Sequence, residues 1–97
     1  MKAVHAGRTA RLADGGTGTI GDVLVDAGTG EERYIVLSVD GYWGPLRVAP
    51  ASTVWRVDEQ VHLGLSCHEA ATLPLYEPAA YGAAAGLRRR EHVTGSL

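Results

Sequence analysis

Four side chains close together in the chain have the chemistry of metal ligands: His62, Cys67, His68 and Glu69. A structural zinc site wants paired ligands, such as Cys-x-x-Cys with a second pair. Here Cys67 and His68 are adjacent, so their side chains diverge on a helix and on a strand alike, and no metal is assigned. Cys67 also has the makings of a nucleophile, because a helix N-terminus lowers a thiol's pKa and a neighbouring histidine can take its proton. No third residue is identifiable to orient that pair, and a lone cysteine fits better as a small core residue. The carboxylates Asp14, Asp22, Asp26 and Glu31 gather around one glycine-rich stretch, where paired acids can do acid–base work or hold calcium. The loop pattern that calcium needs is missing, and Asp26 ahead of Ala27-Gly28-Thr29-Gly30 has the simpler task of bonding turn amides. Gly16-Thr17-Gly18-Thr19-Ile20-Gly21 spells a dinucleotide-type phosphate loop, but that motif must open a helix. Here it runs into Val23-Leu24-Val25, a strand. No catalytic residue and no cofactor is assigned.

Two groups suit contacts rather than reactions. Tyr42 and Trp43 sit in a turn, where a large side chain is partly exposed, and Trp and Tyr are common hot spots of interfaces. Trp43 is either such a contact or a plug folded over the open end of a barrel. Trp55 alternates with Val54 and is assigned to the core. Arg88-Arg89-Arg90 is the one basic run. It suits weak, salt-sensitive contact with nucleic acid, anionic lipid or an acidic partner, or else it is a solvated tail. The partner-contact candidates are therefore Tyr42, Trp43, Arg88, Arg89 and Arg90.

The elements that must position these residues are short. Many of the 13 glycines sit in pairs or clusters between apolar runs, at Gly15-Gly16, at Gly28 and Gly30, and at Gly41 and Gly44. Such clusters mark turns, and turns at short intervals imply many short strands. A first strand is expected near residues 2–6, continuing over 8–12. Thr17 to Asp26 and Glu31 to Val39 read as a hairpin, with Gly21 marking a bulge. Leu46 to Ala49 is a further strand, followed by a corner at Pro50 to Thr53. Val54 to Val57 and Gln60 to Leu65 form a second hairpin across Asp58-Glu59, with Val61, Leu63 and Leu65 on one face. Ser66-Cys67-His68-Glu69 has the form of a capping box, so a short helix should start there and stop before Pro74. Residues 78–97, with Pro78, the Ala83–Gly86 run and the arginines, read as a flexible or partly helical tail.

Length and composition agree with this. A chain of 97 residues suits one domain, able to bury roughly 60–65% of its unfolded surface in a thin core. Hydrophobic residues at 45% argue against wholesale disorder, and a formal charge of −2 provides no global field for nucleic acid or anionic membrane. A single cysteine forms no internal disulfide, the N-terminal residues lack the apolar run of a signal peptide, and no stretch is long enough to span a bilayer. A cytoplasmic protein with no membrane span is expected.

The order of phrases resembles the PRC-barrel family, small β-barrels named for the cytoplasmic domain of the photosynthetic reaction-centre H subunit and found also at the C-terminus of a ribosome maturation factor. The resembling residues are Gly18 to Asp26, the turn Ala27 to Glu31, the strand Arg33 to Leu37, the corner Leu46 to Val54 with Ala49 where the family usually has Val, and the ending Leu73-Pro74-Leu75-Tyr76. Together they span about residues 3–77. The resemblance implies a small antiparallel β-barrel of about six short strands with one short C-terminal helix, over residues 1–77. It implies docking modules and homo-oligomers, and no catalytic residues. A non-enzymatic module that self-associates and binds a protein partner is expected; a small-ligand or RNA-associated binding protein is the alternative.

Overall fold

The computed structural model describes residues 3–41 and 45–90. Its centre is the hairpin of β2 (Thr17–Asp26) and β3 (Glu32–Val39). The turn between them is set by Asp26, whose Oδ1 accepts the N–H groups of Gly28 and Thr29 at 2.8 and 2.9 Å. Gly30 closes it at φ +76°, a left-handed conformation that glycine adopts without a Cβ clash. β4 (Arg47–Pro50) lies antiparallel to the far edge of β3, and a 3₁₀ turn at Ala51–Thr53 leads from it into β5 (Val54–Val57). β6 (Val61–Leu63) pairs antiparallel with β5. β6 in turn runs parallel to β1 (Thr9–Arg11), which pairs antiparallel with β2. The order β4-β3-β2-β1-β6-β5 curls into an open half-barrel, the small mainly-β architecture expected from the sequence.

The second edge of β2 is shared by two short strands from opposite ends of the chain. β1 faces Thr17 to Thr19, and β7 (Leu87–Arg89) faces Leu24 to Asp26. Between them the pairing continues: Gly7 donates to the Ile20 carbonyl, Ile20 to the Arg8 carbonyl, and Arg90 to the Val23 carbonyl. The short helix α1 (Cys67–Ala70) carries the expected capping box, Ser66 Oγ accepting the Glu69 N–H and Glu69 Oε1 accepting the Ser66 N–H.

Both faces of the central hairpin are buried. Ile20, Val23, Val25, Ile35, Leu37 and Val39 point into the main core with Val61 and Leu63 from β6. Leu24 and Val36 point the other way, where with Val48 they form a second cluster under Tyr34, Tyr76 and Tyr81. A regular strand would put Ile20 and Val23 on opposite faces. The register shifts at Gly21, an extra residue on β2, and so returns Val23 to the core side.

Three sequence expectations are revised. The first strand begins at Thr9 and not near residue 2, because Val4 is fixed instead by its N–H bond to Glu32 Oε2 and by burial in the main core. The sheet extends past residue 77: Pro78–Tyr81 and Ala83–Ala85 are 3₁₀ turns, and residues 87–89 are β7. Gly86 breaks any continuing helix at φ +74°. Trp55, expected in the core, is 60% exposed.

Glycine is obligatory at position 18, which sits opposite Val39 with the Ser38 carbonyl 2.2 Å from where a Cβ would lie. Gly18→Ala must therefore push β2 and β3 apart, and should lower the urea-unfolding free energy by at least about 1–3 kcal/mol. An unchanged midpoint would mean that the two strands are not packed this closely.

Candidate interaction surface

The exposure of Trp55 follows from register. Val54 pairs with Leu63 and Arg56 with His62, so Trp55 is an extra residue on β5. That bulge turns Val54 and Val57, three positions apart, both toward the core, and leaves Trp55 and Arg56 both outside. Simple alternation, which pairs Trp55 with the core, misses this. The only sequence signal for it is the pair of apolar residues Val54 and Val57 at a spacing that a regular strand cannot bury on one face.

Asp58 builds the platform beneath the indole. Its Oδ1 accepts the Gln60 N–H at 2.8 Å and lies 3.0 Å from His62 Nε2, while Oδ2 meets Arg56 Nε at 3.0 Å. Because an ionised carboxylate only accepts, His62 Nε2 carries a proton and donates it. The Gln60 amide first, and then the His62 side chain, hold the Asp58 carboxyl below its ordinary value. His62, locked in this way, stacks against Trp55 with ring centroids 5.4 Å apart and planes tilted by 55°. A broad depression of about 610 Å³ adjoins it, lined by Thr9, Asp58, Glu59, Gln60 and His62.

β5 is also one of the two ends of the sheet. The other end, β4, is covered: Val48 donates to the Pro74 carbonyl, and Tyr76 donates to the Leu46 carbonyl around an Arg47–Leu75 bridge. Among the described residues no strand pairs with the outer edge of β5. Its bulge and its charged neighbours Arg56 and Asp58 blunt that edge against simple sheet extension. What the hairpin presents is therefore a side-chain surface, centred on Trp55.

The other candidates lie elsewhere. Tyr42 and Trp43 fall outside the described residues. Arg88 and Arg89 stand exposed on β7, Arg89 within 3.6 Å of Asp22. Arg90 Nη1 donates to both Glu32 Oε2 and the Val4 carbonyl, joining the C-terminal segment to the N-terminal one. Two of the three arginines are thus paired with carboxylates of the central hairpin, which leaves less free positive charge than the run suggests.

The suspected metal ligands are dispersed. His62 faces Asp58, Glu69 is used in the helix cap, His68 is exposed, and Cys67 lies at the Asp14 turn. Among the described residues no three of His, Cys, Asp and Glu converge on a point where an ion could sit. Burial pushes the Cys67 thiol up, and its hydrogen bond to Asp14 and that carboxylate's charge push it further, which is the reverse of nucleophile activation. No helix among the described residues is long and apolar enough to cross a membrane. Comparison with family models, with curated proteins and with solved structures gave no match.

Asp14, Asp26 and Asp58 all have lowered carboxyl pKa values, each owing first to a backbone amide, that of Cys67, Thr29 and Gln60 respectively. A depressed acid stabilises the fold above its unfolded value, here 3.8, and loses that contribution as pH falls through the lower folded value. The denaturant midpoint should therefore hold between about pH 5 and 7 and fall below about pH 4, and Asp58→Asn should reduce the fall. A midpoint that rises on acidification would contradict these bonds.

Proposed function

We propose that this chain is a non-enzymatic docking module whose principal contact surface is the Trp55 face of the β5–β6 hairpin. The observation that carries the reading is a tryptophan forced outward by a bulge, at the end of the sheet that no described strand covers, on a platform already fixed by Asp58 and His62. A single exposed apolar residue is ordinary, but Trp is among the residue types most concentrated at hot spots. The immobilised His62 lowers the ordering cost of a contact, because little freedom is left to lose. The broad, open depression beside it suits a polypeptide surface more than an enclosed small molecule.

The occupant proposed is another folded polypeptide, with a second copy of this chain as one form of it. The PRC-barrel resemblance supports this class of function, since its members dock on proteins and self-associate. The lone, unpaired Cys67 fits a reducing cytoplasmic setting. Tyr42 and Trp43 remain contact candidates from the sequence. The RNA-associated alternative draws less support, because Arg89 and Arg90 are partnered by Asp22 and Glu32.

Trp55→Ala should retain the fold, as the side chain is mostly in water, yet lose the interaction. Two comparisons check this. Analytical ultracentrifugation of wild type and variant reads self-association. Affinity capture from the native lysate, with nuclease, reads a partner protein retained by wild type and lost by the variant. Equal behaviour of the two proteins in both comparisons would overturn the reading. Capture abolished by nuclease would replace it with nucleic-acid binding.

A further inference from the structure

A second surface, independent of the Trp55 face, has the composition of a small-molecule site. Between the β2–β3 turn and the 3₁₀ turns that precede β7 lies a cleft of about 300 Å³. That is at the lower end of the volumes that enclose small ligands. One wall is aromatic: Tyr34 of β3 and Tyr81 meet edge to face, centroids 5.6 Å apart and planes at 78°, and Tyr76 braces Tyr81 at 6.2 Å. The other lining is small, with Ala80, Ala85 and Gly86 leaving the space open.

Both signs of charge stand in this cleft, and both are under-used. Asp26 spends Oδ1 on the Gly28 and Thr29 amides, which hold it ionised, and among the described residues the one ion pair of its Oδ2 is with Arg33, at 3.5 Å. Arg33 is half exposed and, among the described residues, otherwise reaches only Glu31, at 4.0 Å. Ion pairs of this length and exposure contribute little to stability, so exchanging them for a ligand's charges costs little. Register explains why Arg33 is there. Leu24 pairs with Tyr34 and Val25 with Glu32, so Arg33 is the extra residue of a second bulge, aimed out of the ladder next to the aromatic wall.

We propose that this cleft binds a free α-amino acid with an aromatic or large apolar side chain. The ligand carboxylate takes the guanidinium fork of Arg33, which matches a carboxylate's two oxygens. The ligand ammonium takes Asp26 Oδ2 in place of Arg33. The side chain lies against Tyr34 and Tyr81. A pure anion would meet Asp26 and Glu31, and a pure cation would meet Arg33 together with Arg88, whose Nη2 reaches toward the Gly30 turn. A ligand carrying both charges satisfies the cleft without leaving either sign unpaired.

The test is a chemical-shift titration of the full chain with L-phenylalanine, followed by amide resonances. 3-Phenylpropionate, which lacks the ammonium, and phenethylamine, which lacks the carboxylate, serve as comparison ligands. The expected result is saturable shifts confined to residues 26–34 and 80–87, with a Kd of about 1 mM or tighter, at least about tenfold weaker for each comparison ligand. Arg33→Gln should weaken L-phenylalanine to the level of phenethylamine. Ala85→Phe, at an exposed position, should abolish binding by filling the cleft. The proposal is overturned by shifts that fail to saturate up to about 10 mM, by shifts centred elsewhere, or by equal affinity for all three ligands. Full binding by either variant overturns it as well. Failure here leaves the Trp55 reading untouched, since Trp55→Ala alters no residue of this cleft.

Discussion

The ladder around β2 is the constraint on which everything else rests. Over its ten residues this strand has a neighbour along both edges, β3 on one side and β1 followed by β7 on the other. A backbone buried in this way has no water to satisfy it, so each N–H and C=O needs a protein partner. Two ends of the chain meet that need jointly. The junction is secured by Glu32, whose carboxylate takes both the Val4 N–H and the Arg90 guanidinium, while Arg90 also bonds the Val4 carbonyl. The segment at Val4, the segment at Arg90 and the central hairpin are thereby joined at one carboxylate.

Bulges reconcile that ladder with the side chains the sequence provides. Each inserts one residue and reverses which face the following residues occupy. At Gly21 the reversal serves packing alone, returning Val23 to the main core. At Arg33 and Trp55 it serves something else, delivering a cation and an indole to the surface where regular pairing would not have left them. Both lie within paired strands and not in loops, so the backbone that carries them is already ordered for a ligand or partner. The two sites proposed for this protein are products of the same backbone device, used on two different strands, β3 and β5.

Much of this was legible in the sequence. Glycine clusters located the turns, Val/Ile/Leu runs located β2 and β3, Gly21 announced its bulge, and Ser66 with Glu69 announced the helix start. What stayed hidden depends on tertiary pairing. Nothing local to Leu87-Arg88-Arg89 signals a strand; those residues are extended because β2 offers an unfilled edge beyond the end of β1, and Leu87 is buried there. The parallel pairing of β1 with β6 likewise joins residues about fifty positions apart and has no turn to mark it. Trp55 was misread because alternation assumes an unbroken ladder. The PRC-barrel phrases pointed toward a small barrel but carried no information about Arg33 or Trp55, whose placement belongs to the register of this chain.

The outward position of Trp55, and the proposed covering of its indole by a partner, can be measured directly by paramagnetic relaxation of the indole N–H with a soluble, uncharged probe. In dilute, isolated protein the Trp55 indole should relax strongly, while the amides of Ile35 and Leu37 in the core remain unaffected. Raising the concentration of the chain, or adding the captured partner, should protect the indole. Protection equal to that of the core amides in the dilute chain would contradict the bulge and, with it, the assignment of this face as a docking surface. An indole that stays equally open with every added protein would contradict the assignment alone.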